Sequence, residues 1–455
     1  MKQNNPQDRT ILFETMPVPQ AVMKLCIPAI MGTLVMVLYS IADTYFVGMT
    51  GDPIQNAAVT LAGPVLLAFN AINNLFGVGT SSMMSRGLGR KDFDTVARSS
   101  ALGFYSALIF SIVFAAGYTA FRPFFLNLLG ATESTLVPTR DYLFWTCTLG
   151  AVPAIMSVTL SHLVRSEGSA LISSIGAMSG CILNMILDPF FILPQFLGMG
   201  VVGAGLATFI GNCAACLVFA GFLIVKRGQT CVCVDPRKFK FQKEIVFGIF
   251  AVGIPACIQN LLNVTGMTIQ NNLAAAYGSD VVASMGIASK ISVISFYVAM
   301  AIGQGVMPII GYNFGAKNTQ RMKDVLKFTV KVDIAFLAVS TFVYMTFAPQ
   351  LVRLFLDNDV IVNYGKTYLR LMSTAIPFLC MDFLAIGIFQ ACGFGKYALF
   401  FAFLRKIILE IPAIIILNKL IPVYGLGFSQ TVAEIGMCIA SIFLIRHIFK
   451  KLAQN

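Results

Sequence analysis

Apolar runs of about 20 residues recur from one end of this chain to the other, the length a helix needs to cross roughly 30 Å of hydrocarbon. Twelve such runs are readable, at 22–48, 58–82, 99–119, 141–160, 169–190, 201–225, 245–270, 282–310, 328–347, 367–389, 395–417 and 425–445. Composition agrees, since 57% of the residues are hydrophobic and only 11% charged, too little charge to cover a surface facing water. The residue-by-residue alternation of an outer-membrane barrel is absent. The expected fold class is an all-α polytopic membrane protein with twelve transmembrane helices.

Lys and Arg fall on alternate loops. The segments 1–20, 84–98, 160–168, 226–243, 311–327, 393–396 and 446–455 together hold 21 of them, and the loops between hold 5. That bias places both termini and the 226–243 loop in the cytoplasm. It also scatters the net charge of +12 over alternate helix ends, which excludes a basic nucleic-acid-binding face. The first 20 residues contain Lys2, Arg9 and Glu14 with no apolar core, so no secretory signal is expected. No Walker-type GxxxxGK[ST] occurs, and the glycine-rich fragments at 87–91 and 315–318 lack the phosphate-loop spacing. Of 11 cysteines none has metal-ligand spacing with histidine, and Cys231 and Cys233 lie in a loop read as cytoplasmic, where a disulfide is not expected. No cofactor is expected, and no reactive cluster suggests an enzyme.

The chain repeats itself. FGVGTSSMMSRGLGRKDFDTVAR at 76–98 aligns with IGQGVMPIIGYNFGAKNTQRMKDVLK at 302–327, so that Gly79 and Gly89 match Gly305 and Gly315 at an offset of 226. IPAIMG at 27–32 answers IPACIQ at 254–259. Each half then holds six spans, and an even number makes both halves cross the membrane in the same sense, related by an axis near its normal. The expected organisation is a cytoplasmic segment 1–20, an amino lobe 21–225, a linker 226–244, a carboxy lobe 245–445 and a cytoplasmic tail 446–455, with a central cavity between the lobes. Two similar bundles that rock against each other expose a central site to alternate sides, as in secondary transporters.

Ionisable residues inside spans are costly, about 2.5–3.5 kcal/mol for Asp at a helix centre, and so face a partner or a cavity. In the amino half these are Asp43 and Asp188, each in the last third of an outward-running helix. Asn184 shares a helix face with Asp188, and Pro189 withdraws the amide that would satisfy the carbonyl at position 185. Thr208 enters at similar depth on the next helix, where Gly203, Ala204, Gly205 and Ala207 permit close approach. Two carboxylates in one poorly hydrated pocket cannot both stay ionised cheaply, so the nest is suited to a proton, or to Na⁺ with Asn and Thr oxygens. A structural network and direct substrate contact are the competing readings.

The carboxy half has amides, Gln259 and Asn260, where the first helix has Asp43. Its ionisable residues in spans are Lys290, Asp382, Glu410 and Glu434, which suggest an internal Lys–carboxylate network or substrate contacts. The 39 Phe, 13 Tyr and 21 Met are read as bundle packing for the most part, although an organic-cation site would use such surface. Trp145 reads as an outer interfacial anchor, and His162 and His447 as surface residues.

Taken together, IPAIMGTLVMVLYSIADTYFVG (27–48), FGVGTSSMMSRGLGRKD (76–92), SEGSALISSIGAMSGCILNMILDPFFI (166–192), GVVGAGLATFIG (200–211) and GVMPIIGYNFGAKN (305–318) resemble the multidrug and toxic compound extrusion (MATE) family, in its MepA-like bacterial branch and more distantly its DinF-like members. The resemblance implies two six-helix lobes and export of small, often amphipathic and cationic molecules in exchange for H⁺ or Na⁺, by a chain that functions as a monomer among membrane lipids. It maps the family's amino-lobe cation site onto Asp43, Asn184, Asp188 and Thr208. The sequence departs from the NorM-like branch at Gln259 and Asn260, where that branch is acidic, while Asp382 resembles its tenth-helix aspartate. A flippase for a lipid-linked intermediate and a dedicated exporter of one metabolite are the alternatives.

Overall fold

The computed structural model describes residues 11–356, 358–452 and 454, so the first half of the expected segment 1–20 and part of the tail lie outside the described residues. Among the described residues nine helices are individually long and apolar enough to span a membrane: α1 (Val18–Gly48), α2 (Pro53–Gly89), α3 (Phe93–Ala120), α5 (Ala170–Ile192), α6 (Val201–Val225), α7 (Lys243–Ala275), α8 (Ser279–Gly315), α9 (Thr319–Arg353) and α12 (Gly425–Leu452). Two more spans are bent pairs: α4 (Glu133–Leu149 and Ala151–Ser166, 50°) and α10 (Asp359–Ser373 and Ile376–Cys392, 47°). The twelfth, α11, runs through Gly395–Phe403, Leu404–Glu410 and Ile411–Leu420. The central piece of α11 is wound as a π-helix, and it carries the charges that make this span less apolar than the rest.

Several helices outrun the apolar runs from which they were read. Span 58–82 extends to Pro53–Gly89, 328–347 to Thr319–Arg353 and 425–445 to Gly425–Leu452. Hydropathy reports only the part in oil, while the backbone hydrogen bonds continue into the polar ends. Asp52 caps α2 through the amide of Ile54 (2.9 Å), and Asp92 caps α3 through that of Thr95 (3.1 Å), so the polar loop residues themselves start the next helix.

Inside each lobe, helices cross where glycine removes the side chain. A Cβ on Gly180 of α5 would sit 2.7 Å from the Gly211 carbonyl of α6, and one on Gly211 would sit 2.6 Å from the Gly180 carbonyl. In the carboxy lobe, α8 and α10 meet the same way, with Gly387 facing the Gly303 carbonyl at 2.8 Å and Gly303 facing that of Phe383 at 2.8 Å. Close approach of this kind replaces the hydrophobic drive that lipid cannot supply.

The sequence repeat is visible in the seam between the lobes. Gly89 packs on the Tyr312 carbonyl and Gly315 on the Arg86 carbonyl. Arg86 and Tyr312 are related by the same offset as the two glycines, so the crossing of α2 and α8 is one contact made twice about a pseudo-two-fold axis. Gly79 of α2 lies on Ile249 of α7, and Gly305 of α8 lies on Cys26 of α1. The Ser82 hydroxyl donates to the Gln390 carbonyl. The crossings at Gly89 and Gly315 gather at the end that carries the basic loops, called the basic end below.

The chain on either side of α1 and α7 secures that end. Arg321 donates to the carbonyls of Phe13 (2.5 Å) and Met16 (2.6 Å), and the Tyr312 hydroxyl donates to Glu14 (2.6 Å). Phe13 stacks on Tyr312 with centroids 4.9 Å apart, and Leu12 and Phe13 press against Gly168 of the amino lobe. The segment before α1 therefore touches both lobes. The linker after α6 lies on the amino lobe, where Glu167 accepts from the Cys231 amide (2.6 Å) and Lys238 pairs with Asp94 (2.8 Å).

Substituting Gly89 with Val should force the Tyr312 backbone away and lower the thermal midpoint, as overpacking of a tight contact costs about 1–3 kcal/mol. Gly117→Val, at a position with open space beside it, should leave that midpoint unchanged. Thermal unfolding of both purified variants in one detergent makes the comparison.

Candidate functional site

In the amino lobe, α1, α5 and α6 bring four polar side chains to one interior position. Asn184 and Asp188 lie one turn apart on α5 and are both buried, Asp188 completely. The Asn184 amide donates to the Thr208 hydroxyl of α6 at 3.2 Å. Asp43 comes from α1 and interacts electrostatically with Asp188. Both Asp188 oxygens, one Asp43 oxygen and the Asn184 carbonyl oxygen are buried and accept no hydrogen bond from the protein. No Lys or Arg forms an ion pair with either carboxylate among the described residues. The nest thus concentrates acceptor oxygens with little to donate to them.

Two tyrosines complete this nest, and the sequence reading missed both. Tyr39, one turn before Asp43 on α1, lies beside Asp43 and Thr208, and Tyr142 of α4 lies beside both carboxylates. The i,i+4 spacing of Tyr39 and Asp43 was a usable signal. Tyr142 gave none, because it reaches the site from a helix remote in sequence.

The carboxy lobe is built differently. Arg405, with a side chain only 4% exposed, lies between Asp382 of α10 (3.2 Å) and Glu434 of α12 (2.5 Å). Its guanidinium sits 5.6 Å from the ring centroids of both Phe296 and Phe383. Lys406 pairs with Glu410 at 2.6 Å, one turn along α11. Gly266 of α7 makes room for that pair, since a Cβ there would stand 3.1 Å from the Glu410 carboxylate. The π-helical winding of Leu404–Glu410 presents Arg405, Lys406 and Glu410 inward together.

This arrangement corrects the expected network. Asp382, Glu410 and Glu434 do belong to an internal ionic cluster, but its cations are Arg405 and Lys406, not Lys290. Lys290 is exposed on α8 and forms no ion pair among the described residues. It was favoured because it is the lone cation in its span, whereas Arg405 and Lys406 were passed over inside LRKIILE. Gln259 and Asn260 are half-buried and outside the cluster, and the Asn260 amide donates to its own helix at Ala256 (3.1 Å). His162 is not on the surface, because its ring packs against Gly77 between α4 and α2; His447 is exposed as expected. Among the described residues no group of His, Cys, Asp and Glu is arranged to hold a metal ion.

A family model, MatE, matches the chain twice, over residues 28–190 and 255–416, once in each half. The chain belongs to the MATE family of membrane transporters. This MATE chain is similar to the multidrug export protein MepA of Staphylococcus aureus (strain MRSA252), at 32% identity over 439 residues, covering 96% of this chain and 95% of that one. It is also similar to MepA of Staphylococcus saprophyticus, at 31% identity over 434 residues, covering 95% and 94%. Its fold matches the crystal structure of a MATE in complex with MaL6, and the outward-facing conformation of a multidrug resistance MATE family transporter of the MOP superfamily. Each matches with a TM-score of 0.93 at 24% identity, over 100% of both chains. The two six-helix lobes are thus the MATE fold, and the protein is a multi-pass membrane transporter, not an enzyme.

Removing Arg405 should be costly in this MATE protein, because it leaves buried carboxylates uncompensated. Arg405→Met should destabilise by about 3–5 kcal/mol, and adding Glu434→Gln to that variant should recover part of the loss. Thermal unfolding of the two variants against the unmodified protein tests the pairing.

Proposed function

We propose that this MATE transporter exports small amphipathic organic cations in exchange for H⁺ or Na⁺, and that the exchanged ion occupies the nest of Asp43, Asn184, Asp188 and Thr208. The observation that carries the reading is a pair of aspartates inside the lobe, Asp188 fully buried and Asp43 half-buried, with acceptor oxygens the protein leaves unmatched. A small cation is the ligand such a cluster favours, since burying bare charge without a partner costs several kcal/mol. The relatives named as multidrug export proteins support an organic substrate class.

The basic end faces the cytoplasm on this reading, with both termini on that side of a bacterial inner membrane. The lobes 21–225 and 245–445 move as rocking units joined by the linker 226–244, and one chain suffices for transport. Substrate is taken from the cytoplasm or inner leaflet, the lobes rock outward, and entry of the ion at Asp43 and Asp188 favours release. Return carries the ion inward. Coupling requires that the nest hold the ion unequally in the two conformations: a tenfold difference supplies about 1.4 kcal/mol, and a full reversal of populations needs about 5.5 kcal/mol.

The carboxy-lobe cluster serves here as a structural counterweight, with three carboxylates around two cations. Its cations are already neutralised, so they offer little to the pyrophosphate of a lipid-linked intermediate, and the flippase reading gains no support from them. Export of a single metabolite differs from multidrug export only in breadth of substrate.

Purified protein in liposomes, with pH and Na⁺ gradients imposed separately, tests the exchange. One of the two gradients should drive uphill movement of a cationic dye, and Asp188→Asn should abolish that drive while dye binding persists. Gradient-driven transport that survives in Asp188→Asn would remove the nest from the mechanism. A panel of dyes and metabolites in the same vesicles separates the broad exporter from the dedicated one.

A further inference from the structure

A third acid lies buried in the bundle and takes no part in either cluster. Asp333 of α9 is completely buried and joins no ion pair among the described residues, and its oxygens find no nitrogen or oxygen donor there, only the weak thiol donor of Cys380. It sits in the half of α9 nearer the basic end, where α9 meets α1 of the opposite lobe. Two thiols lie near it. Cys380 of α10 lies against the carboxyl group, and Cys26 of α1 interacts with it from across the seam. The Cys26 thiol reaches the Ile302 carbonyl (3.8 Å), and that of Cys380 also reaches the Val330 carbonyl (3.9 Å).

No cation pairs with it among the described residues. Arg165, at the end of α4, lies near Cys26 and donates to Gln304 of α8 at 3.2 Å. His162 lies near Arg165 on the same helix. Cys26 thus interacts with both Arg165 and Asp333, while Arg165 and Asp333 form no pair. From α8, packed alongside α9, no charged group reaches Asp333.

We propose that Asp333 is a proton-binding site at the basic-end seam, carrying its proton while the seam is closed and losing it when the lobes part there. The ligand is a proton and not Na⁺ because of the donor set. A hard monovalent cation requires several oxygen ligands, and the two side chains placed beside this carboxyl group, Cys26 and Cys380, offer sulfur. An ionised carboxylate with only a weak thiol donor and no counter-ion is the costliest occupant of such a pocket, and the neutral acid is the form it tolerates. Parting of α1 from α8 and α9 wets the carboxyl group from the basic end, and water then supports the charge that the closed seam does not. The proton is then taken up and released on the same side of the membrane. Asp333 sets how readily the seam closes and carries no charge across, unlike the nest at Asp43 and Asp188.

Infrared difference spectroscopy of the whole protein in lipid nanodiscs reads this directly, without transport, so its outcome is separate from that of the exchange mechanism. At neutral pH the unmodified protein should show a C=O stretching band of a protonated carboxyl group, lost in Asp333→Asn and shifted in Asp333→Glu. The same component should persist in Asp43→Asn and Asp188→Asn. An Asp333→Asn spectrum that superposes on the unmodified one in this region overturns the proposal. If Asp333→Asn does not fold, an unshifted band in Asp333→Glu overturns it equally. Loss of gradient-driven transport in a folded Asp333→Asn variant would also overturn it, by making this proton one that crosses the membrane.

Discussion

The cost of charge in a medium without water organises this molecule. Each carboxylate inside the bundle must find a cation, a proton or a hydrogen-bond donor, and the three buried acid groups meet that demand in different ways. Asp382 and Glu434 surround Arg405, and Glu410 takes Lys406, so these three acids of the carboxy lobe have internal cations. Asp43 and Asp188 have no such partner and lie in a nest of acceptor oxygens. Asp333 has no ion pair among the described residues and lies near the thiols of Cys26 and Cys380. A permanent internal counter-ion fixes the charge of the Arg405 cluster, while its absence at Asp43 and Asp188 is what the proposed ion exchange requires.

That asymmetry is laid on a symmetric scaffold. The two halves cross each other at Gly89 with Tyr312 and at Gly315 with Arg86, equivalent contacts separated by the repeat offset. Such backbone crossings tolerate little intermediate spacing, so the basic end is either closed or parted. The segment from Leu12 to Met16 and the residues it touches lie over this crossing and must move with it. On the proposed reading, α1 links the amino-lobe nest to the basic end, since it carries Asp43 toward one end and Cys26 toward the other.

Much of the fold was legible because lipid imposes a simple rule. Twelve spans and the duplicated halves could be read from run length and from paired glycines. The amino-lobe nest was legible too, since Asn184 and Asp188 share a helix face and Asp43 stands out as an acid in an apolar run. Arg405 and Lys406 were missed although Lys406 and Glu410 show the i,i+4 spacing of an ion pair. Asp333 was missed because its position early in the run 328–347 resembled a helix end, whereas α9 begins at Thr319 and places it well inside.

By itself the sequence determined the solvent, the number of crossings, the duplication and which residues are too polar for their surroundings. Tertiary structure alone decided which of those residues meet. A helix in lipid is apolar on most of its faces, so its pattern does not fix its rotation about its own axis, and that rotation selects the partner. Lys290 turned outward, Arg405 turned inward between two acids, and Asp333 turned toward Cys26 of the other lobe. These outcomes depend on how helices far apart in the chain pack together, which no stretch of sequence read alone contains.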